Sequence, residues 1–484
     1  MATTENLGTL LAAAARRFAN RPAFTSLTYV QLLDAADTVR DALARAELRP
    51  PEPVHVRVSN QPLDLAAYLG VWLAGGVVVP VHRASPDAAV AQMATKTATR
   101  LEWDTRLREI GTEPPRPRPV LEDAALVVFT SGSSGMPKGA VLSHRAFAGK
   151  LTAIQSLLRF ADGERTMLVL NITFSFGIWV ALLTLLHGGV LLTRERFAAA
   201  SFLSDLAGEQ VNRVAVVPTM MRSLILELPP ARVAVEGRAL AGARALRQVL
   251  IGGETLGQGL AATLRNLFAP ADLIDIYGLT ETSTCDFFLM PHDVARYPGC
   301  IGRASPGVRY RIVGDGGAAV PAGEIGELHI SSPYLMSGYL DEPALQPIRD
   351  GWLATGDLAR ERDAGVVEIA GRKKELIYRG GNKVAPQEIE FACSAHPRVA
   401  AALAVGRPDE RLGERIHALI VPRDGELSAA EVRAFLRTRL EKWKQPDVLY
   451  FAAELPAGRT GKADRGRFAA MLAEGRLAPA EEGT

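Results

Sequence analysis

The chain has 484 residues, and its 55 Lys and Arg against 53 Asp and Glu leave a formal net charge of +2. This near balance argues against a nucleic-acid partner, and no apolar run reaches the ~18 residues that cross a membrane. The three cysteines are far apart and form no CxxC pair, which argues against a disulfide framework or a Cys-rich zinc site and favours a reduced, cytoplasmic protein.

Short apolar segments alternate with Ala- and Leu-rich helical stretches over most of the chain, and the length predicts more than one domain. The first twenty residues have the pattern of an amphipathic helix and not of a signal peptide. The expected strands are Val77–Val79, Leu126–Phe129, Val190–Thr193, Val214–Val217, Gln248–Ile251 and Leu273–Ile276. The expected helices between them include Leu65–Ala74, Phe202–Glu209 and Gly259–Phe268. This alternation predicts an α/β fold with doubly wound, mostly parallel sheets.

The character of the sequence changes near Asp315 and again near Lys373. After Asp315, Gly and Pro become frequent and residues 324–330 alternate as in a short strand, which predicts a small antiparallel or barrel-like β unit. After Lys373 we expect a small α+β domain whose helix begins at Pro386, since proline is favoured at the first helical position. The predicted domains are therefore residues 1–372 and 373–484.

Three unusual segments each follow directly on a predicted strand. They are Thr130–Gly139 (TSGSSGMPKG), Gly252–Glu254 (GGE) and Tyr277–Glu281 (YGLTE). In open α/β sheets, ligands bind in the crevice beyond the carboxyl ends of the strands. If the strands are parallel, the three segments can share one crevice.

The first of these segments has the chemistry of a phosphate-binding loop. Its glycines let backbone amides approach a ligand, its hydroxyl groups add donors, and Lys138 adds a mobile cation. It is not a Walker loop, because no Gly-Lys-Ser/Thr follows the glycines. The alternative is a flexible Ser/Gly linker, but the apolar strand before it and the Pro-Lys-Gly exit favour phosphate binding.

The segment after the last predicted strand supplies groups that suit a purine nucleotide. Tyr277 offers a ring for stacking, and Asp275 could accept a hydrogen bond from an exocyclic amine. Glu281 is a hard oxygen ligand suited to Mg²⁺ beside a polyphosphate. Taken singly, these residues could equally be a core tyrosine, a strand-end carboxylate and a solvated glutamate.

Two further residues complete an ordered set of motifs. Asp357 lies on a predicted Gly-flanked turn, where it could hold both hydroxyls of a ribose or serve only as a turn residue. Lys462 lies on a Gly-rich loop, where an exposed lysine is ordinarily a solvated charge. Together the motifs closely resemble those of the adenylate-forming superfamily, which contains acyl- and aryl-CoA synthetases, peptide-synthetase adenylation domains and firefly-type luciferases. The resemblance runs from about Leu7 to Phe468 and rests on Thr130–Gly139, Tyr277–Glu281, Gly356-Asp357, Gly371–Glu390 and Gly461-Lys462.

This resemblance implies a two-step reaction. A carboxylate attacks the α-phosphate of MgATP to give an acyl-adenylate and pyrophosphate, and a thiol then displaces AMP. The implied catalytic residues are Lys462, Glu281 and Thr280, with Glu281 as the Mg²⁺ ligand and Lys462 bridging the carboxylate and the α-phosphate. The residues implied to bind ATP are Thr130, Ser131, Gly132, Ser133, Ser134, Gly135, Lys138, Gly253, Glu254, Asp275, Ile276, Tyr277, Gly278, Thr280, Asp357, Arg372 and Lys462.

The resemblance also implies that the C-terminal domain is a mobile lid. It would swing about a hinge at Lys374, withdrawing Lys462 after the first half-reaction. The same movement would bring the Tyr378–Lys383 loop to the site, where Gly380 and Gly381 let a pantetheine arm pass close to the backbone.

The acid pocket is expected to include Phe174, Ser175, Phe176, Met220, Gly252 and Gly278. In peptide-synthetase domains an aspartate anchors the amino group of the substrate, and Ser175 stands in its place here. A buried ammonium without a counter-charge is costly, so an α-amino acid is disfavoured. The aromatic and methionine side chains suggest an aryl or medium acyl group, although ordinary core packing explains any one of them equally well.

The acceptor and the reaction class leave alternatives open. No carrier-protein segment is expected after Phe468, so the thiol would come from CoA, which we prefer, or from a separate carrier protein; a non-thiol nucleophile is also possible.

A phosphate-loop NTPase would need the missing Gly-Lys-Ser/Thr and would release ADP. A luciferase-like oxygenase would share the adenylation step, and a catalytically dead binding module would be expected to lack Lys462, Glu281 or Asp357.

Overall fold

The structure is a computed structural model that describes residues 6–111, 118–130, 138–228, 243–254, 256–342, 345, 347–423, 427–456 and 463–480. The strands up to residue 372 are, in chain order, β1 (Pro22–Phe24), β2 (Leu27–Thr28), β3 (Pro53–Val58), β4 (Val77–His82), β5 (Leu101–Trp103), β6 (Leu107–Glu109), β7 (Ala124–Thr130), β8 (Lys138–Ser143), β9 (Arg165–Leu168), β10 (Val190–Thr193), β11 (Arg213–Val216), β12 (Gln248–Gly252), β13 (Asp272–Tyr277), β14 (Phe287–Leu289), β15 (Arg303–Ala304), β16 (Arg309–Val313), β17 (Gly326–Ser331), β18 (Gly338–Tyr339), β19 (Ile348–Arg349), β20 (Trp352–Glu361) and β21 (Val367–Arg372). The later strands are β22 (Ile377–Arg379), β23 (Asn382–Val384), β24 (Val399–Asp409), β25 (Gly413–Pro422) and β26 (Val448–Phe451).

The α-helices lie mostly between these strands, as the alternation predicts. In the described part of the chain they are α1 (Leu7–Arg17), α2 (Tyr29–Arg45), α3 (Pro62–Leu73), α4 (Asp87–Thr97), α5 (His144–Leu158), α6 (Ser175–Leu186), α7 (Ala199–Gly208), α8 (Pro218–Glu227), α9 (Gln258–Phe268), α10 (Pro291–Val294), α11 (Pro386–Ser394), α12 (Ala429–Arg437) and α13 (Arg465–Ala473). Within the described ranges, no helix is both long enough and apolar enough to cross a membrane.

Two large sheets form most of the N-terminal part. The described strands of the first sheet run in the order β18-β8-β7-β4-β3-β5-β6, and those of the second in the order β15-β14-β13-β12-β11-β9-β10-β1-β2. Pairing is parallel from β5 through β3 and β4 to β7, and from β10 through β9 and β11 to β13. The predicted α/β fold with mostly parallel sheets is therefore confirmed. Strand β8, which returns antiparallel to β7, was not predicted.

Helices pack between the two large sheets and form the main core. Helix α3 is apolar almost all the way round, so it can be buried on every side; its residues from Leu65 to Trp72 are buried. Helices α1 and α6 contribute to the same cluster, in which Trp72 and Trp179 are the largest fully buried side chains. Residues of both sheets belong to this cluster, so one core joins them.

A small antiparallel sheet follows, with the strand order β16-β17-β20-β19 and β21 paired to β20. It begins at Arg309, slightly before the expected change near Asp315. The expected turn at Asp357 is wrong, because Asp357 lies inside β20 and pairs with Arg372 of β21. Gly356 has a φ of +75°, a left-handed conformation that glycine adopts without strain, so the strand continues through a local irregularity.

The C-terminal residues form an α+β unit with its own core. Its sheet has the order β23-β22-β25-β24, with β26 paired parallel to β25. Helix α11 begins at Pro386, as predicted from the preference of proline for the first helical position. Strand β21, which belongs to the N-terminal part, ends at Arg372, and the division at residues 372 and 373 stays a prediction.

Candidate active site

A cleft of about 1740 Å³ lies between the N-terminal part and the C-terminal unit. The carboxyl ends of β7, β12 and β13 open into it, and α11 lines the opposite wall. Many of the residues singled out by their sequence motifs line this one cleft, although they come from distant parts of the chain. They are Thr130, Lys138, Gly253, Glu254, Asp275, Ile276, Tyr277, Gly278, Thr280, Glu281, Asp357, Arg372 and Lys374.

Part of the predicted phosphate loop and the predicted catalytic lysine lie outside the described residues. These are Ser131, Gly132, Ser133, Ser134, Gly135 and Lys462. The residues on either side of them are described: Thr130 pairs with Lys138 across β7 and β8, and Ala463 and Asp464 line the cleft. The roles of the loop and of Lys462 therefore stay predictions.

Glu281 has surroundings that suit a magnesium ligand. It lies in a 3-10 helix, Thr280–Thr282, and its Oε1 accepts a 2.7 Å hydrogen bond from the Tyr339 hydroxyl. Lys138 Nζ lies 5.3 Å from the centre of the Tyr339 ring, so the side chain that contacts Glu281 also contacts Lys138. Among the described residues, Oε2 of Glu281 has no hydrogen-bond partner, and no group of three or more metal-binding side chains occurs. A single available carboxylate fits Mg²⁺, which is usually held by one or two carboxylates together with phosphates and water.

Asp357 links the base-binding and ribose-binding candidates. Its side chain is 4% exposed, accepts a 2.6 Å hydrogen bond from the Tyr277 hydroxyl and lies 2.9 Å from Arg372 Nε. The guanidinium offsets the cost of burying the carboxylate. The Tyr277 ring is held at its other end by an edge contact with Phe287. The tyrosine ring is thereby fixed in orientation at the wall of the cleft.

Asp275 lies on β13 between two neighbouring strands and is almost fully buried. Burial raises the pKa of its carboxyl group to about 8. A neutral carboxyl at pH 7 can donate a hydrogen bond as well as accept one. Asp275 can therefore face either a donor or an acceptor on a purine edge.

Replacing Asp275 with asparagine should make stability less dependent on pH. The carboxyl pKa is about 4 in an unfolded chain and about 8 in the folded protein. The wild-type stability contribution of this group is therefore complete below about pH 4 and is lost as the pH rises towards 8. We expect the melting temperature of Asp275→Asn, relative to wild type, to rise by several degrees between pH 5 and pH 8. The exposed Asp272 begins the same strand, and Asp272→Asn is the control; an equal difference for Asp275→Asn at both pH values would contradict the expectation.

Glu254 is held in place by helix α8. Thr219 Oγ1 donates to Glu254 Oε1 at 2.7 Å, and Arg222 Nη1 lies 3.0 Å from Oε2. The preceding Gly253 has a φ of +86°, which accounts for a glycine at this turn. The sequence motif therefore corresponds to a tight turn whose acidic side chain is anchored at the edge of the cleft.

Two glycines assigned to the acid pocket are required by close backbone contacts. A Cβ on Gly252 would lie 2.4 Å from the carbonyl oxygen of Ile276, and a Cβ on Gly278 would lie 2.1 Å from the amide nitrogen of Cys285. Neither position has room for a side chain. Backbone packing is thus a sufficient reason for both glycines, whether or not an acid binds beside them.

Of the predicted acid-pocket residues, only Gly278 is among the described residues that line the cleft. Phe174 precedes α6, Ser175 is buried at its first turn, and Phe176 stacks on Trp179 at 5.4 Å. Met220 packs against both large hydrophobic clusters. The assignment of these residues to an acid pocket stays a prediction.

The hinge candidate and the thiol-loop candidate lie in different surroundings. Lys374 is in the 3-10 helix Lys373–Glu375 and lines the cleft. Gly380 and Gly381 form the turn between β22 and β23, with left-handed φ values of +57° and +80°. This turn does not line the cleft, whereas residues 463–466 do. The rotation of the C-terminal unit about Lys374 and the role of Gly380 and Gly381 stay predictions.

Several residues that support the site were missed by the sequence analysis. Tyr339 contacts Glu281 as described above, and Arg222 anchors Glu254. Arg465 forms ion pairs with Glu375, in the 3-10 helix that contains Lys374, and with Glu390 in α11, each at 2.7 Å. No local pattern marks these pairs, because their partners lie 32 to 90 residues away in the chain.

Two family models and several known proteins are similar to this chain over most of its length. Residues 11–101 and 94–340 match the AMP-binding enzyme family, and residues 388–462 match the AMP-binding enzyme C-terminal domain. The chain is 31% identical to a feruloyl-CoA synthase from Amycolatopsis sp over 91% of this chain and 93% of that protein. It is 30% identical to a sulfoacetate–CoA ligase from Cupriavidus necator over 95% and 97% of the two chains. ATP-bound MatB from Rhodopseudomonas palustris has the same fold, with a TM-score of 0.83, 24% identity and coverage of 96% and 99%.

The matched residues include both the strands that end in the cleft and the unit that forms its opposite wall. The identities extend over nearly the full length of this chain. The enzyme class predicted from the ordered motifs is confirmed: this chain belongs to the AMP-binding enzyme family.

Proposed function

We propose that this protein is an AMP-forming acid–thiol ligase that activates a carboxylic acid with ATP and passes the acyl group to CoA. The carboxylate attacks the α-phosphorus, a bond from carboxyl oxygen to phosphorus forms, and the bond to pyrophosphate breaks. The thiol sulfur then attacks the acyl carbon, and AMP leaves with the electrons of the broken carbon–oxygen bond. The proposal is carried by the convergence of Lys138, Glu281, Asp357 and Arg372 on one cleft in a member of this family.

The main barrier to the first step is electrostatic. An acid anion must approach a polyphosphate, and like charges repel until cations neutralise them. Lys138 and Arg372 are cations of this chain that line the cleft, and Lys462 is predicted to reach the reacting oxygens. Mg²⁺ held by Glu281 would supply further neutralisation of the phosphate charge.

The nucleotide would be oriented by the groups on the walls of the cleft. Asp357 and Arg372 would hold the ribose, and the fixed ring of Tyr277 would stack on the base. Asp275 and Glu254 would border the base. Such groups, held in position before the substrates bind, reduce the entropy lost in aligning the reacting atoms.

The substrate class follows from what the acid pocket lacks. Ser175 offers no charge to an α-ammonium group, and Phe174 and Phe176 are the aromatic residues predicted to line the pocket. An aryl or medium acyl acid suits these side chains, and the similarity to a feruloyl-CoA synthase supports an aryl acid and CoA. A separate carrier protein or a non-thiol nucleophile is the alternative acceptor. A cytoplasmic location stays a prediction from composition.

Acid-dependent exchange of pyrophosphate into ATP tests the first half-reaction. The purified protein is incubated with ATP, Mg²⁺ and a panel of aryl, fatty, dicarboxylic and α-amino acids. We expect exchange with at least one aryl or acyl acid and none with α-amino acids. Release of ADP and orthophosphate, in place of AMP and pyrophosphate, would contradict the proposal. Repeating the reaction with CoA, with a pantetheinylated carrier protein and with neither identifies the acceptor.

A further inference from the structure

A buried ion pair joins the two large sheets beside the cleft. Lys150 Nζ on α5 lies 3.0 Å from Asp286 Oδ1, and the two side chains are 1% and 0% exposed. Helix α5 follows β8 of the first sheet, whereas Asp286 directly precedes β14 of the second. The pair therefore connects the half of the molecule that carries Lys138 to the half that carries Glu281.

The ammonium group of Lys150 has a complete set of partners. Besides Asp286, it donates to the carbonyl oxygen of Cys285 at 3.2 Å and lies 4.9 Å from the centre of the Tyr334 ring. A buried lysine is rare unless it is paired in this way. The position of its charge is thus defined by three groups, two of which belong to the segment that follows Glu281.

That segment has an unusual backbone conformation. Ser283, Thr284 and Cys285 have φ values of +56°, +71° and +54°, so three consecutive non-glycine residues are left-handed. Such conformations are strained and persist only where the surroundings hold them. The turn also packs directly on Gly278, where a Cβ would lie 2.1 Å from the Cys285 nitrogen.

Hydrogen bonds connect this turn to the segment that contains Glu281. Asp286 accepts from Lys150 on one carboxylate oxygen and from the Thr282 hydroxyl on the other. Thr282 shares its 3-10 helix with Glu281. The backbone amides of Thr284 and Asp286 donate to Leu279 and Tyr277 at 2.8 and 2.7 Å.

We propose that Lys150 is a positioning residue for MgATP, acting through Asp286. It holds the left-handed turn and thereby sets the distance between Glu281, which follows β13 of the second sheet, and Lys138, which begins β8 of the first. The inference rests on the proposed function, because it takes Glu281 as the magnesium ligand and Lys138 as a phosphate ligand. Lys150 itself does not line the cleft among the described residues, so its effect is indirect.

The test measures nucleotide binding and does not require the acid to be known. Binding of α,β-methylene-ATP is titrated by calorimetry at several Mg²⁺ concentrations for wild type, Lys150→Met and Asp286→Asn. We expect both variants to need about 10–100-fold more Mg²⁺ for half-saturation, the loss typical of residues that orient a metal ligand. In acid-dependent exchange, the KM for MgATP should rise while the KM for the acid is unchanged.

Two further variants separate positioning from stability. Lys150→Met/Asp286→Leu replaces the pair with apolar side chains, which buried sites often tolerate; it should recover thermal stability but not the wild-type Mg²⁺ requirement. Arg213→Met breaks another ion pair of a buried cation, in which Arg213 Nη1 lies 2.9 Å from Oε2 of the half-buried Glu164. Arg213 also donates to the carbonyl oxygen of the last residue of α5, so Arg213→Met disturbs the same helix but not the contact with Asp286. This variant should therefore lose stability while its Mg²⁺ requirement stays unchanged.

The proposal is overturned if Lys150→Met binds the analogue with the wild-type Mg²⁺ dependence, or if the double variant regains that dependence. If Lys150→Met does not fold, Asp286→Asn decides, since it keeps the side-chain shape and an acceptor for Thr282. Failure of the proposed function has a different signature: the wild-type protein would bind the analogue with Mg²⁺ but activate no acid.

Discussion

Replacing Lys462 with alanine is expected to lower the rate of adenylation about 10²–10³-fold, the effect of removing one preorganised electrostatic contact from a transition state. Negative charge shifts onto the phosphate oxygens as the acid attacks, and a lysine ammonium beside them stabilises that charge more than it stabilises the bound substrates. The loss should therefore appear in kcat more than in the KM for ATP.

The measurement is acid-dependent pyrophosphate exchange, with the best acid from the panel. The matched control is Lys442→Ala, which removes an exposed lysine from the same C-terminal unit and should leave exchange unchanged. Thioester formation from a supplied acyl-adenylate should survive in Lys462→Ala, because that step does not use the α-phosphate contact. Wild-type exchange in Lys462→Ala would refute the assigned role.

Replacing Lys374 with proline is expected to separate the two half-reactions. Proline fixes φ near −65°, which a 3-10 helix accommodates, so the backbone of Lys373–Glu375 should be retained. If Lys374 is the hinge, rotation of the C-terminal unit requires a change of backbone angles at this residue, which proline resists. Adenylation should continue, while transfer to the thiol should fall about 10²-fold, the cost of a misplaced reacting group.

Single-turnover assays measure the two steps separately in this variant. The control is Lys374→Ala, which removes the charge but keeps the backbone free to rotate, and it should support both steps. If Lys374→Pro slows both half-reactions equally, the residue is not the hinge. If transfer is normal, the lid does not need to rotate about this position.

The elements predicted from sequence are those defined by local pattern. Strand β10 was predicted with its observed bounds, because four consecutive apolar or β-branched residues lie between helical segments. The helix start at Pro386 was also correct, since proline at that position carries a local backbone preference. Both follow from residues that are neighbours in the chain.

The missed features depend on partners that are distant in sequence. Strand β8 exists as a partner of β7, and the apparent turn at Asp357 is a strand because β21 pairs with it. The sequence around Lys150 does indicate that this lysine is buried. It lies among Phe147, Leu151 and Ile154, on the buried face of α5, and a lysine at such a helical position indicates a buried counter-charge.

The sequence alone determined the fold class, the family and many of the residues that line the cleft, because each motif carries its chemistry within a few consecutive residues. The tertiary structure decided which of these residues meet and what holds them. Asp357 and Tyr277 are 80 residues apart, and Lys150 and Asp286 are 136 apart, yet each pair is in contact. Contacts of this kind depend on how the sheets pack against each other, and local propensity contains no information about that packing.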